Sequence, residues 1–90
     1  MARILLVDDD SGLREVLSFA LSEQGHEVRA EKDGAAALAA LPAFRPEVVI
    51  TDLKMPGIDG MEVLRGVGES DATIPVILLT AFASVEDRKS

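Results

Sequence analysis

The sequence has no cysteine, tryptophan or tyrosine, and a single histidine. Without thiols there are no disulfides, no thiolate zinc sites and no Cys nucleophile, and a reducing compartment is compatible with the composition. Three phenylalanines are the only aromatics, so the core must be aliphatic, built from Leu, Val, Ile and Ala. Basic charge is also scarce. Nine Lys and Arg stand against 16 Asp and Glu, for a net charge of -7 and a pI near 4.5. Binding to a polyphosphate backbone draws its affinity from Lys and Arg releasing counterions, so direct nucleic-acid binding is not expected. Long apolar runs are missing as well: Ile4 to Val7 is too short for the apolar region of a signal peptide, and no run approaches the roughly 20 residues of a spanning helix. A cytoplasmic chain with no membrane association is the expectation.

What remains is a chain of 90 residues, 48% hydrophobic, which fits one small domain with its own core. Ile4-Leu5-Leu6-Val7 is a continuous apolar run stopped by three aspartates, the pattern of a parallel strand buried on both faces. Leu13, Val16, Leu17, Ala20 and Leu21 then recur at helical spacing, with Asp10 or Ser11 placed to cap the helix and Gly25 to end it. Val28 and Ala30 alternate with charged residues, which predicts a strand near a sheet edge. Asp33-Gly34 opens an alanine-rich helix through Leu41, which Pro42 and Pro46 should confine. Glu47 to Thr51 is again an apolar run, closed by Asp52. A turn-rich loop with Met55-Pro56-Gly57 and Asp59-Gly60 leads into an amphipathic helix around Met61, Val63, Leu64 and Val67. Pro75 to Thr80 reads as a further buried-type strand. The alternation predicts an α/β fold with a parallel sheet and helices on both faces.

In an open parallel sheet, ligands collect beyond the carboxyl ends of the strands. Asp8, Asp9 and Asp10 follow the first strand and Asp52 ends the third, so neighbouring strands would bring carboxylates to one rim. Crowded like charges either raise a pKa or recruit a cation, and a hard divalent ion such as Mg2+ takes such oxygen ligands. A carboxylate beside Mg2+ can also serve as a nucleophile that forms an acyl phosphate, a role that suits Asp52 because it stands alone on its strand. Thr80, at the end of the fourth strand, could donate its hydroxyl to a phosphoryl oxygen. A lone Asp after a strand is more often a cap or turn former, which is the reading for Asp10 and Asp59. His26 sits at a helix exit and reads as structural, and Phe19 and Phe44 read as packing residues.

Val7-Asp8-Asp9-Asp10, Thr51-Asp52-Leu53-Lys54-Met55-Pro56-Gly57-Ile58-Asp59-Gly60 and Pro75-Val76-Ile77-Leu78-Leu79-Thr80-Ala81 together resemble the receiver domain of two-component response regulators, particularly the nitrogen-regulator type of transcriptional regulator. The resemblance runs over nearly the whole chain. It implies a flavodoxin-like doubly wound parallel sheet of order 2-1-3-4 and a phosphoacceptor, not an enzyme in the ordinary sense. By the same resemblance Asp52 accepts phosphate from a histidine kinase. Asp9 and Asp52 bind Mg2+ through carboxylates, Lys54 through its backbone carbonyl, and Asp8 through a water. Thr80 contacts the phosphoryl group and couples it to a surface change, while Lys54 and Phe82 tune its lifetime.

A receiver resembling this one would continue through a fourth helix, a fifth strand carrying a Lys, a switch aromatic and a fifth helix. Residues 1–90 thus read as one incomplete receiver domain lacking the fifth strand and fifth helix, with switching impaired; Lys89 is a poor substitute for the missing Lys. An open apolar edge at Pro75 to Thr80 predicts self-association into a homo-oligomer. Two other readings stay open: a structural or self-associating fragment without phosphotransfer, and an Asp-nucleophile phosphatase of haloacid-dehalogenase type that would use Asp8-Asp9-Asp10 as Asp-x-Asp. Phe82 generates a kinetic expectation, since an apolar side chain cannot position a hydrolytic water. Loss of phosphate from Asp52, followed over time after removal of the donor, should be slow, and decay as fast as that of the quickest receivers would contradict the role given to Phe82.

Overall fold

A computed structural model of the protein describes residues 1–79. The chain runs β1 (Arg3–Val7), α1 (Ser11–Glu23), β2 (Glu27–Glu31), α2 (Gly34–Phe44), β3 (Val48–Asp52), α3 (Gly60–Ser70) and β4 (Val76–Leu79). All pairings are parallel and the sheet order is β2-β1-β3-β4, as expected. The register sets Val7 opposite Glu31 on one side and Thr51 on the other, so β1 and β3 end at the same level.

Because side chains alternate across a strand, Leu5, Val7 and Val49 point to one face. There they meet Ala37, Ala40 and Leu41 of α2 and Val63 and Val67 of α3, with Met55 of the β3–α3 loop completing the cluster. The small alanines of α2 let it lie close to the strands. Helix starts are capped: Asp10, as the sequence suggested, accepts from Leu13 N–H, Asp33 accepts from Ala36 N–H, and Asp59 forms a reciprocal capping box with Glu62. Gly25, at φ 92°, follows the end of α1 in a conformation few other residues adopt at low cost.

Three expectations need correction. Helix α2 stays confined before Pro46, yet it runs past Leu41 and takes in Pro42, ending at Phe44. A proline in the last turn costs one backbone bond, and the end is rebuilt from outside. Arg45, at φ 53°, sends its N–H to Leu41, and the Arg3 guanidinium donates to the carbonyls of Phe44 and Arg45 at 2.8–3.2 Å. Phe44 does pack on the core, but Phe19 does not: it is 67% exposed, Val16 is 64% exposed, and no residue of α1 is fully buried. Nor is β4 a buried strand, since Ile77 is 50% exposed. Both follow from the same geometry. Among the described residues α1 contacts only β2 and β1 on the second face, and β4 has no strand on its outer side. His26 is structural, its Nδ1 accepting from the Ala2 N–H at 3.1 Å.

The cap of α2 is open to a direct test. Asp33→Ala removes the 2.8 Å bond to Ala36 and should cost about 1 kcal/mol, lowering the melting temperature by roughly 4–8 °C for a domain of this size. Asp33→Ser should retain most of the stability, and equal losses in the two variants would show that the cap is not the cause.

Candidate functional site

The shared level of β1 and β3 decides where the acidic residues fall. Asp8 extends the β1 ladder by one residue, its N–H bonding to Glu31 at 3.2 Å, and is 1% exposed. Asp9 follows at the surface, and Asp52 is the last residue of β3. One carboxylate oxygen from each of Asp8, Asp9 and Asp52 lies within 4.8 Å of the others.

Asp8 is held rigidly. Its Oδ1 accepts from the Asp10 N–H at 2.9 Å, and its carbonyl accepts from Arg14 Nη1 at 2.7 Å. Its Oδ2 is buried with no hydrogen-bond partner. A buried carboxylate oxygen left unpaired is costly, and it is the feature a bound cation would relieve. Asp52 bears the same burden electrostatically. Desolvation pushes its carboxyl above the ordinary 3.8, the charges of Asp8 and Asp9 add to that, and backbone hydrogen bonds from Leu53 and Lys54 only partly oppose it. Three converging carboxylates, one of which keeps an unpaired oxygen, fit a divalent cation such as Mg2+.

The backbone after Asp52 is fixed on several sides. Leu53 N–H donates to the Leu79 carbonyl at 3.1 Å, and the Leu53 carbonyl accepts from Gly60 N–H at 2.9 Å. Thr51 Oγ1 donates to the Asp52 carbonyl at 3.0 Å. Lys54 is exposed in the loop that follows, while Met55 turns inward to the core. Of the residues singled out from the sequence, Asp8, Asp9 and Asp52 come together, with Lys54 two residues from Asp52. Thr80, Phe82 and Lys89 lie outside the described residues. Asp10 stays out of the cluster, its Oδ1 committed to the N-terminus of α1 at 3.2 Å. That removes the second acid which an Asp-x-Asp phosphatase reading requires. Sequence reasoning missed Arg14, whose contact is with a main-chain carbonyl and leaves no pattern, and Gly60, which had been assigned only to turn chemistry.

Residues 4–90 match the family model described as the response regulator receiver domain. This chain belongs to the response regulator receiver family. The receiver is 42% identical over 86 residues to the transcriptional regulatory protein TrcR of Mycobacterium tuberculosis, covering 96% of this chain and 34% of TrcR. It is 40% identical over 84 residues to the regulatory protein AtoC of Escherichia coli, covering 93% of this chain and 18% of AtoC. The chain therefore spans about a third or less of these curated relatives. Among solved structures, the chemotaxis protein CheY4 of Vibrio cholerae superposes with a TM-score of 0.82 at 34% identity, over 87% of this chain and 67% of that one. The Thermotoga maritima response regulator TrrA, crystallised in complex with Mg(2+)-BeF, superposes with a TM-score of 0.83 at 34% identity, over 93% of this chain and 76% of its own.

The raised carboxyl of Asp52 has a signed consequence. The native state holds this proton more tightly than the unfolded chain, so the stability it contributes falls as pH rises above the unfolded value of 3.8. Asp52→Asn removes the burden. In metal-free buffer near neutral pH the variant should melt at a higher temperature than the parent, with the gap closing toward about pH 4. A parent that melts at or above the variant throughout would show that Asp52 carries no such burden.

Proposed function

We propose that this receiver takes a phosphoryl group on Asp52 from a phosphohistidine of a sensor kinase, in a reaction that depends on Mg2+. The observation that carries the proposal is the convergence of Asp8, Asp9 and Asp52 within 4.8 Å, with Asp8 Oδ2 buried and unpartnered. Asp9 and Asp52 would hold the ion through carboxylate oxygens, Lys54 through its backbone carbonyl and Asp8 through a water. Bound Mg2+ supplies positive charge against the carboxylates and the incoming phosphoryl oxygens.

Asp52 is the nucleophile. A carboxylate oxygen attacks phosphorus, the P–N bond of the phosphohistidine breaks with its electron pair left on the imidazole nitrogen, and that nitrogen takes up a proton. Asp52 is left as an acyl phosphate. The backbone hydrogen bonds around Leu53 hold the attacking group still, so less freedom is lost on reaching the transition state. Asp8, fixed through Asp10 and Arg14, would hold a water of the bound ion. Thr80 would contact the phosphoryl group, and Phe82 and Lys54 would set its lifetime. In this reading residues 1–90 act in the cytoplasm as the phosphoacceptor part of a longer regulator. A second feature supports self-association: the half-exposed Ile77 lies on β4, which among the described residues has an open outer edge.

Incubation with acetyl phosphate and Mg2+ should add one phosphoryl group by intact mass, and beryllofluoride should bind only when Mg2+ is present. Asp52→Asn or EDTA should abolish incorporation. Incorporation that survives Asp52→Asn would overturn the assignment, and no incorporation or beryllofluoride binding by the parent would favour a self-associating fragment without phosphotransfer.

A further inference from the structure

We propose that Gly60 is a positioning residue for the phosphoacceptor, its missing side chain allowing the first turn of α3 to seat directly on the Asp52–Leu53 peptide and so set where the Asp52 carboxylate stands relative to Asp8 and Asp9. The inference rests on the phosphoacceptor reading and adds a residue to it that lies eight positions away in sequence.

The requirement at Gly60 is one of space. Left-handed φ values occur among the described residues at Gly25, Arg45 and Gly57, and not at Gly60, so another residue could adopt its backbone conformation. A Cβ at this position would overlap the Asp52 carbonyl oxygen and stand 2.8 Å from Leu53 Cα and 3.2 Å from the Asp52 carbonyl carbon. These are backbone atoms and cannot swing aside. At Gly66, by contrast, an added Cβ would meet Leu38 Cδ2 at 2.6 Å, the far end of a flexible side chain in the α2–α3 contact.

Neither partner at Gly60 can yield easily. The Asp52–Leu53 peptide is tied to the Leu79 carbonyl through Leu53 N–H, and the next carbonyl, that of Leu53, accepts from Gly60 N–H. The helix turn is tied by the capping box, with Glu62 N–H donating to Asp59 Oδ1 at 3.0 Å and Asp59 N–H donating to Glu62 Oε1 at 3.2 Å. Further along, Val63 and Val67 are fully buried in the core. A methyl group here must therefore move the peptide that carries Asp52 or lift the start of α3 from it. Both change the spacing of a carboxylate cluster whose function depends on placement to within about 0.5 Å.

The test compares Gly60→Ala with Gly66→Ala in the full chain, at a temperature and denaturant concentration where both are folded. The readouts are Mg2+ affinity by titration, the rate of phosphorylation by acetyl phosphate, and the amide spectrum of the metal-free protein. Gly60→Ala should lose roughly tenfold to a hundredfold in phosphorylation rate, bind Mg2+ more weakly, and shift the amides of Asp8, Asp9 and Leu53. Gly66→Ala, whose added Cβ meets only the movable side chain of Leu38, should leave all three readouts at parental values. Parental values in Gly60→Ala, or equal losses in both variants, would overturn the inference. If Gly60→Ala does not fold, Asp59→Ala, which loosens the same turn, is compared with Asp33→Ala, which removes the equivalent cap on α2. Loss of Mg2+ affinity and rate in Asp59→Ala alone supports the inference, and matched behaviour overturns it. A parent that binds no Mg2+ and takes no phosphoryl group would instead fail the functional reading, and the metal-free amide shifts would still decide the role of Gly60.

Discussion

The parallel pairing of β1 with β3 is the constraint on which the rest of this receiver depends. Its register sets Val7 beside Thr51, so two strands separated by a whole α-β-α stretch of chain deliver their following residues to one rim. Moving β3 by one residue would turn Val49 out of the core and swing Asp52 to the other face. The hydrophobic pattern of the strands and the position of the acidic cluster are therefore one specification. The aliphatic core holds the register, and the register holds the carboxylates together against their own repulsion.

That repulsion is a burden the fold tolerates. Asp8 is almost fully enclosed and keeps an unpaired oxygen, and the Asp52 carboxyl is pushed upward by desolvation and by its acidic neighbours. Stability given up at a site is what an ion or a phosphoryl group can restore on binding. The surrounding backbone is correspondingly over-determined, with caps on three helices and hydrogen bonds on both sides of the Leu53 peptide.

Much of this was legible in the sequence, for identifiable reasons. Apolar runs that end in carboxylates, at Val7-Asp8 and Thr51-Asp52, carry both the strand assignment and the site, because a buried parallel strand and a polar rim leave opposite compositional marks. Caps at Asp10 and Asp59 were readable because capping is local chemistry. What escaped was tertiary. Val16 fits a helical stripe and Phe19 shares its helix, yet periodicity does not say which neighbour covers either of them. Pro42 looks like a stop, and continues as helix because Arg3, far away in the chain, supplies donors to the carbonyls beyond it. Gly60 carries the same letter as a turn glycine, and only the approach of the Asp52 carbonyl distinguishes the two.

The Arg3 contact has a meaning for how the chain assembles. The last carbonyls of α2 are satisfied by the first residue of β1, over forty residues upstream, and the Arg3 N–H donates to the Glu47 side chain at 2.8 Å just before β3. Helix α2 on its own would fray at the end that Pro42 already weakens. It becomes complete only once the first strand is in place, and the same step sets the entry to the third. The N-terminal strand therefore joins local helix formation to long-range closure, and detaching that strand leaves the Pro42–Arg45 corner without its outside donors.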